Sequence, residues 1–356
     1  MKRIMACLLV FILVFSFSAC SGAAVSQSDS SESAQSQTES QTVSQTESQP
    51  EIKNNKIILC TTYPDSAYRL MWQYGFASFC KANGYDYEIA GYTSDEMVNH
   101  TIDDVYALWE TEAMADDVAG VIIVGYMDGK EDFYDKIRSA GKYLVIADCF
   151  TDPYYYDNLE NMKKNADSVI YYDTKESSRL LADLMLADFE KDGVTDGFVG
   201  LQTTGSGYIV TMQTDYAKGK LEAKGFGTDY CNTVGDYDEC LRLLNEFADV
   251  HPDMRAFFSV APQADIFPRA DMGGALIYEC SSDSFVVQAI KDGTIRACVS
   301  PDGYEVAQMA AARMDGLIKG QDFSSNSTLP VVSEIITQDN AEEYLKLYAE
   351  AEEFFK

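Results

Sequence analysis

The sequence predicts an α/β protein with two doubly wound, Rossmann-like parallel-sheet lobes. Three observations support this fold class. From Lys56 onward, short apolar runs typical of buried strands alternate with segments of helical spacing. Such alternation is characteristic of parallel sheets covered by helices on both faces. The alternation occurs twice at similar length, and the 356 residues, 46% of them hydrophobic, suffice for two lobes of ordinary size.

The elements of the first half follow one another with clear boundaries. Gly84 and Gly141 end two of the helices, and Thr93 begins a third with a plausible cap. The predicted order is a strand at 56–62, a helix at 66–82, a strand at 85–90, a helix at 93–117, a strand at 120–124, a helix at 130–140 and a strand at 143–147.

The second half repeats this alternation. Gly225 ends one helix, and residues 203–208 form a glycine-bearing loop that lacks the spacing and the lysine of a phosphate cradle. The predicted order is a strand at 168–172, a helix at 174–191, a strand at 197–201, a helix at 209–224, a strand at 227–234, a helix at 238–250, strands at 256–260 and 275–278, a helix at 284–292, a strand at 295–300, a helix at 303–319, a strand at 330–337 and a helix at 340–355.

The first twenty residues have the pattern of a secretory signal. Lys2 and Arg3 precede an apolar run over residues 4–17, which is too short to cross a bilayer comfortably as a mature helix. Small residues then precede Cys20, and this arrangement resembles the lipobox of bacterial lipoproteins. The resemblance implies that residues 1–19 are a signal peptide and that Cys20 carries a lipid anchor such as palmitate. The alternative is an ordinary signal peptide followed by a chance cysteine.

A linker is predicted over the rest of residues 20–52. Its Ser, Gln, Thr and Glu repeats contain almost nothing apolar, so burial cannot offset the entropy of ordering the chain. A flexible chain of about 30 residues has a mean span of roughly 30 Å. The linker is therefore expected to be a disordered tether that holds the folded part clear of the membrane.

Charge and composition exclude several classes of partner and cofactor. The formal net charge is −30, which repels nucleic acid and anionic lipid headgroups. After Cys7 and Cys20 are set aside, an odd number of seven cysteines remains, and none forms a C-x-x-C pair. His100 and His251 are the only histidines, so zinc and iron–sulfur sites are not expected. We therefore expect no metal, no cofactor and no nucleic-acid partner.

Two blocks of sequence resemble the type I periplasmic solute-binding proteins, the ribose-binding and LacI-like sugar-binding group. Residues 120–148 start with GVIIV and end with KIRSAGKYLVIAD, similar to the family's DGIII…AxxAGIPVVxxD. Residues 289–320 resemble IxDGxIxATVxQxPxxxGxxAxxxxxxxLxG without a gap. The resemblance covers residues 56–337. It implies that the two lobes are joined by a hinge of three crossings, near Tyr172, Pro301 and Leu329.

This topology implies a division of the folded part between the lobes. The N-terminal lobe is expected at 53–172 plus 302–329, and the C-terminal lobe at 173–301 plus 330–356.

The resemblance also implies a function. It predicts a membrane-tethered extracytoplasmic monomer that closes its lobes on a small ligand and delivers it to an ABC permease. A sensor that presents its bound state to a membrane kinase or chemoreceptor has the same fold and is the alternative. No Ser-His-Asp set is supportable, so no enzyme is expected. A carboxylate pair across the cleft, such as Asp148 with Glu279, could act as acid and base, and this is the alternative to that expectation.

Ligands of such folds lie at the carboxyl ends of the strands, in the crevice between the lobes. By resemblance, Asp148 is the acid that accepts hydrogen bonds from ligand hydroxyls. Tyr68 is either a stacking platform or a core residue at the start of a helix, and Arg69 is either a charged donor or a solvated residue. The candidate ligand-binding residues are Tyr63, Tyr68, Arg69, Tyr126, Asp148, Tyr208, Gln263, Glu279 and Asp302.

The sequence departs from the family at several sugar-binding positions. The family's arginine has no counterpart at 214–216, and its Asn-Asp pair is replaced at 261–263. The aspartate of its GFD segment is Cys280, and the glutamine after ATV is Pro301. Four tyrosines are expected to line the cleft instead. Such a cleft favours an aromatic, heterocyclic or methylated ligand, or a sugar held mainly by stacking.

Overall fold

The computed structural model describes residues 54–356 except 128, 152–158, 204–207, 234–235, 261–265, 301 and 332. The predicted signal peptide, Cys20 and the linker lie outside the described residues. Within the described ranges, no helix combines the length and the apolar character needed to cross a bilayer.

The first lobe is built on a sheet of six parallel strands in the order β11-β5-β4-β3-β1-β2. Its strands are β1 (Lys56–Cys60), β2 (Asp86–Ala90), β3 (Val118–Val124), β4 (Tyr143–Thr151), β5 (Ser168–Asp173) and β11 (Thr328–Val331). Its helices are α1 (Ala67–Asn83), α2 (Ser94–Met97), α3 (Ile102–Ala113), α4 (Glu131–Ser139), α5 (Leu159–Asn165) and, returning from the second lobe, α10 (Gly303–Ile318).

The second lobe repeats this plan in the order β12-β10-β9-β8-β6-β7. Its strands are β6 (Phe198–Thr203), β7 (Gly227–Asn232), β8 (Met254–Ser259), β9 (Leu276–Glu279), β10 (Ala297–Ser300) and β12 (Glu334–Ile336). Its helices are α6 (Thr174–Lys191), α7 (Tyr208–Glu222), α8 (Tyr237–Val250), α9 (Ser284–Lys291) and α11 (Ala341–Phe354). β12 is antiparallel to β10, and the other pairs are parallel. The two-lobed α/β architecture predicted from the sequence is therefore confirmed.

Two predicted elements are wrong in detail. The single helix expected at 93–117 is two helices, because Thr93 and Thr101 each form a capping box, with Glu96 and Asp104 respectively. The single strand expected at 330–337 is two strands that belong to different sheets. β11 pairs with β5, and β12 pairs with β10, so the chain changes lobes after Val331.

Both faces of each sheet are buried, as the continuous apolar strands predict. In β1, Ile57 packs into the cluster on one face of the first sheet, and Ile58 packs into the cluster on the other face. All seven residues of β3 are buried. Among the described residues this gives four apolar clusters, two for each sheet.

Helix α1 lies where the two lobes meet. It packs closely along α10, where the Gln308 amide donates to the Gly75 carbonyl at 2.6 Å. Met71 packs into the apolar core of the second lobe. The rings of Tyr74 and Phe354, the latter on α11, are 5.2 Å apart. The first turn of α1 is thereby held near both lobes.

Candidate ligand-binding site

Four polar side chains meet at the carboxyl edge of the first sheet. Asp148 lies within β4, and Tyr172 lies near the end of β5. Tyr68 and Arg69 are in the first turn of α1, which Ser66 begins by accepting a hydrogen bond from the Arg69 N–H at 3.3 Å. We call these four residues the Asp148 cluster.

Both carboxylate oxygens of Asp148 are engaged by this cluster. The hydroxyls of Tyr68 and Tyr172 donate to Oδ1 at 2.7 and 2.5 Å. The Arg69 guanidinium donates to Oδ2 at 2.6 Å, and only 4% of the Asp148 side chain is exposed. The structure therefore brings three of the predicted residues together. It also adds Tyr172, which the sequence analysis had placed only at a lobe crossing.

The backbone is unusual at this edge. Asp148 has a φ of 59° and Tyr63 a φ of 51°, and they are the non-glycine residues with positive φ in the described part of the chain. The β4–β5 register shifts between Ile146 and Cys149, so Asp148 sits in the irregularity. Conformations of this kind cost of order 1 kcal/mol or more and are often associated with functional sites.

Electrostatics hold the Asp148 cluster in one protonation pattern. Burial opposes the charge on Arg69, but the Asp148 carboxylate together with Tyr68 and Tyr172 offsets this and raises the pKa of the guanidinium. Burial and then the Asp148 charge raise the pKa values of Tyr68 and Tyr172. The arginine therefore remains charged, and both tyrosines remain hydrogen-bond donors at physiological pH.

A second polar group occupies the carboxyl edge of the second sheet. The buried Gln202 amide donates to the Thr233 hydroxyl at 2.8 Å. Its oxygen accepts from the Ser259 hydroxyl at 2.8 Å and from the Val260 N–H at 3.0 Å. This Gln202 cluster (Gln202, Thr233 and Ser259) joins the ends of β6, β7 and β8. The sequence analysis did not predict this cluster. The available signal was that its three polar residues lie at or just beyond the ends of predicted strands.

Glu279 ends β9 beside this cluster and is fully buried. Its Oε1 accepts from the Cys280 N–H at 3.1 Å, whereas Oε2 has no hydrogen-bond partner within the described residues. Burial raises the pKa of Glu279 well above its usual value. Hydrogen bonds from Ser259 and the Cys280 backbone oppose the shift.

This raised pKa predicts how Glu279 affects stability. The folded state holds the Glu279 proton more tightly than the unfolded state, so unfolding releases it. The contribution of the protonated Glu279 side chain to the free energy of unfolding is therefore lost as the pH rises from the pKa of the unfolded state through that of the folded state. We expect Glu279→Gln to raise the unfolding free energy at pH 8, because the wild type must bind a proton on folding there, at a cost of about 1.4 kcal/mol for each pH unit above the unfolded pKa. The gain should be smaller at pH 5. Urea unfolding at both pH values measures it, and an equal gain at the two values would contradict the account.

Two of the predicted ligand residues, Tyr126 and Asp302, make contacts within the first lobe, and their contact with a ligand stays a prediction. The Tyr126 hydroxyl accepts from the Asn165 amide at 3.0 Å, and its ring stacks on Tyr134 at 5.3 Å. Asp302 caps α10 by accepting hydrogen bonds from the backbone of Tyr304 and Glu305 at 2.9 and 3.4 Å.

Of the remaining predicted residues, the side chain of Tyr63 is described by the structure and those of the others are not. Tyr63 is 44% exposed, so its ring is available to a ligand. Gln263, Cys20 and the side chain of Tyr208 lie outside the described residues.

A surface groove of about 670 Å³ lies between α6 and α7, away from the strand ends. Lys175 lies over the Tyr216 ring on one wall, and Lys220 pairs with Asp183 on another. The groove is charged and internally paired, so the strand ends remain the better candidate for a small polar ligand.

Comparison with solved structures identifies the fold. An arabinose-binding protein from Geobacillus stearothermophilus superposes with a TM-score of 0.65 at 14% identity, over 82% of this chain and 99% of that one. A sugar-binding protein of a sugar ABC transporter from Bacillus halodurans gives 0.64 at 17% identity, over 82% and 100%. A 5-methylthioribose transporter solute-binding protein from Thermotoga lettingae, solved with 5-methylthioribose, gives 0.62 at 15% identity, over 82% and 89%.

Sequence comparison adds nothing to this result, because no family model and no curated protein matches the chain. The structural neighbours include a glucose–galactose-binding protein, an arabinose-binding protein and the sugar-binding protein of a sugar ABC transporter. The chain has their two-lobed fold.

Proposed function

We propose that this protein is the solute-binding component of an ABC importer for a small sugar or sugar derivative. The observation that carries the proposal is the pair of polar clusters at the carboxyl edges of two equivalent sheets. The Asp148 cluster occupies one edge, and the Gln202 cluster occupies the other. A ligand between them would be held from both sides as the lobes close on the hinge.

The class of ligand follows from the groups left available at these edges. Both oxygens of Asp148 are engaged within its cluster, so hydroxyl recognition by this carboxylate is limited to its remaining lone pairs. Tyr63 offers an exposed ring. Together they favour a sugar that presents an apolar face or substituent, held partly by stacking. A structural neighbour bound to 5-methylthioribose supports this proposal.

A binding panel tests the proposal. Calorimetric titration of the mature chain should include arabinose, xylose, ribose, galactose, tagatose and 5-methylthioribose. We expect micromolar or tighter binding of at least one member, with 5-methylthioribose tighter than ribose. Native mass spectrometry of freshly purified protein should detect a co-purified ligand of sugar mass. No binding across the panel together with no co-purified ligand would contradict the proposal.

Tyr63 provides a local test of the stacking contact. We expect Tyr63→Ala to weaken binding of the tightest panel member about tenfold, which corresponds to the roughly 1.5 kcal/mol typical of an aromatic contact. Stability should change by less than about 0.5 kcal/mol, because the ring is exposed. Tyr87→Ala, at a partly buried ring that packs edge-on against Phe76, is the control. The Tyr87→Ala variant should lose stability but retain ligand affinity. Unchanged affinity in Tyr63→Ala would place Tyr63 outside the site.

We also propose that the protein is exported and anchored to the outer face of the cell membrane through a lipid on Cys20. The support is the apolar run that precedes this cysteine and the Ser/Gln-rich segment that follows it. Cys20→Ser is expected to move the protein from the membrane fraction to the soluble fraction, as seen by immunoblotting. Retention of the variant in the membrane fraction would argue against the anchor.

A further inference from the structure

Two carboxyl groups lie close to each other beside the Gln202 cluster. Glu279 ends β9, and Asp283 immediately precedes α9. Glu279 is fully buried and Asp283 is 7% exposed. Asp283 occupies the N-cap position of α9, yet its side chain makes no capping hydrogen bond.

Each of these side chains has an oxygen with no hydrogen-bond partner among the described residues, Oε2 of Glu279 and Oδ1 of Asp283. Neither carboxyl forms an ion pair with a described basic side chain. The nearby Tyr348 hydroxyl cannot supply a donor to them, because it donates to the Ser282 carbonyl at 2.5 Å. Burial raises the pKa of both acids, and the Asp283 charge adds to the shift at Glu279.

This arrangement differs from that of two other buried carboxylates, Asp148 and Asp188. Asp148 is matched by Arg69, and Asp188 is matched by Arg296, whose guanidinium donates at 2.7 and 2.8 Å. A tyrosine hydroxyl completes each of those sites. Glu279 and Asp283 have neither an arginine nor a tyrosine donor. Buried acceptors without donors are costly, and unpaired buried charges are more so.

We propose that the ligand supplies the missing donors as a protonated amine, so that the solute is an amino sugar or a related polyhydroxylated amine. This inference rests on the proposed function and specifies its substrate class. An ammonium group carries three donors, enough for Oε2 of Glu279 and Oδ1 of Asp283 together. The positive charge of the amine favours the ionised carboxyl, so the proton that burial retains on Glu279 is released to solvent as the ammonium binds, and lobe closure then buries the resulting ion pair. The net charge of −30 attracts cationic solutes and repels acidic sugars.

Matched sugars test this proposal by calorimetric titration of the full mature chain at pH 7. The probes are galactose, galactosamine and N-acetylgalactosamine, and the corresponding glucose series. We expect at least one amino sugar to bind ten times more tightly than its neutral parent and its acetylated form. Glu279→Gln and Asp283→Asn should each weaken amino-sugar binding at least tenfold, so that the preference for the amino sugar over its neutral parent is lost. Asp253→Asn, an exposed acid of the same lobe, is the charge control and should have no effect.

Thermal melting verifies that each variant is folded. We expect both to fold, because Glu→Gln and Asp→Asn change the size and shape of the side chain very little. The proposal is overturned if neither amino sugar binds more tightly than its parent, or if both variants bind the amino sugar as the wild type does. Binding of neutral sugars without any preference for the amine would remove this inference and leave the proposed function intact. Binding of no sugar in either series, with none in the earlier panel, would remove both.

Discussion

Replacement of Asp148 by asparagine is expected to lower the unfolding free energy by about 3–5 kcal/mol, the usual result of removing one partner from a buried ion pair. The variant leaves the Arg69 side chain, of which 17% is exposed, without its counter-charge. The amide retains one oxygen for three donors. Asparagine tolerates the φ of 59° at this position, so the substitution tests the charge without a backbone penalty. Urea unfolding measures the loss.

The same variant is expected to weaken sugar binding at least a hundredfold, because Tyr68, Arg69 and Tyr172 lose the group that orients them. Asp188→Asn is the matched control, since Asp188 also accepts hydrogen bonds from an arginine and a tyrosine. Arg296 is 42% exposed, so water can solvate it and the stability loss should be smaller. Binding should be unchanged in this control. Normal affinity in Asp148→Asn would show that the Asp148 cluster is structural only.

Gly91→Ala is expected to destabilise the protein by about 3 kcal/mol, at the upper end of the usual cost of overpacking. A Cβ at Gly91 would lie 1.9 Å from the Thr61 carbonyl oxygen, a backbone atom that has little room to move. The Thr61 N–H is bound to the Ala90 carbonyl at 3.0 Å, and the Tyr63 N–H to the Tyr92 carbonyl at 3.2 Å. A shift here also displaces Tyr63, so we expect weaker ligand binding as well.

Gly219→Ala is the control for this prediction. Gly219 lies within α7, and a Cβ there would have no neighbour within 4 Å. Alanine in a helix interior should raise the unfolding free energy by about 0.5–1 kcal/mol. Denaturant midpoints measured for both variants should therefore move in opposite directions. A denaturant midpoint for Gly91→Ala equal to that of the wild type would contradict the close approach of Gly91 to the Thr61 carbonyl.

The fold was predictable because its information is local. Continuous apolar strands such as β3, and helix stops such as Gly84, mark most boundaries within the sequence itself. Two of the predicted elements were wrong in detail where a local signal was outweighed or concealed. The cap at Thr101 interrupts an otherwise helical pattern, and residues 328–336 form two short strands whose partners lie far away in the sequence.

The candidate site was less predictable because its contacts are distant in sequence. Tyr68 and Arg69 meet Asp148 across about 80 residues, and only the family resemblance grouped them. The contact between the Tyr126 hydroxyl and Asn165 could not be foreseen either, because Asn165 lies in a helix that the sequence did not predict. The burial of Glu279 depends on packing between β9 and its neighbours, which no local pattern reveals.

Hydrogen–deuterium exchange with and without the tightest-binding sugar tests the central claim that a sugar-type solute is held between the carboxyl edges of both sheets. The account predicts protection at both edges in the same experiment, in peptides covering residues 61–70 of the first lobe and 279–284 of the second. The groove between α6 and α7 should exchange equally in both states. Protection confined to one lobe, or found only in that groove, would contradict the account.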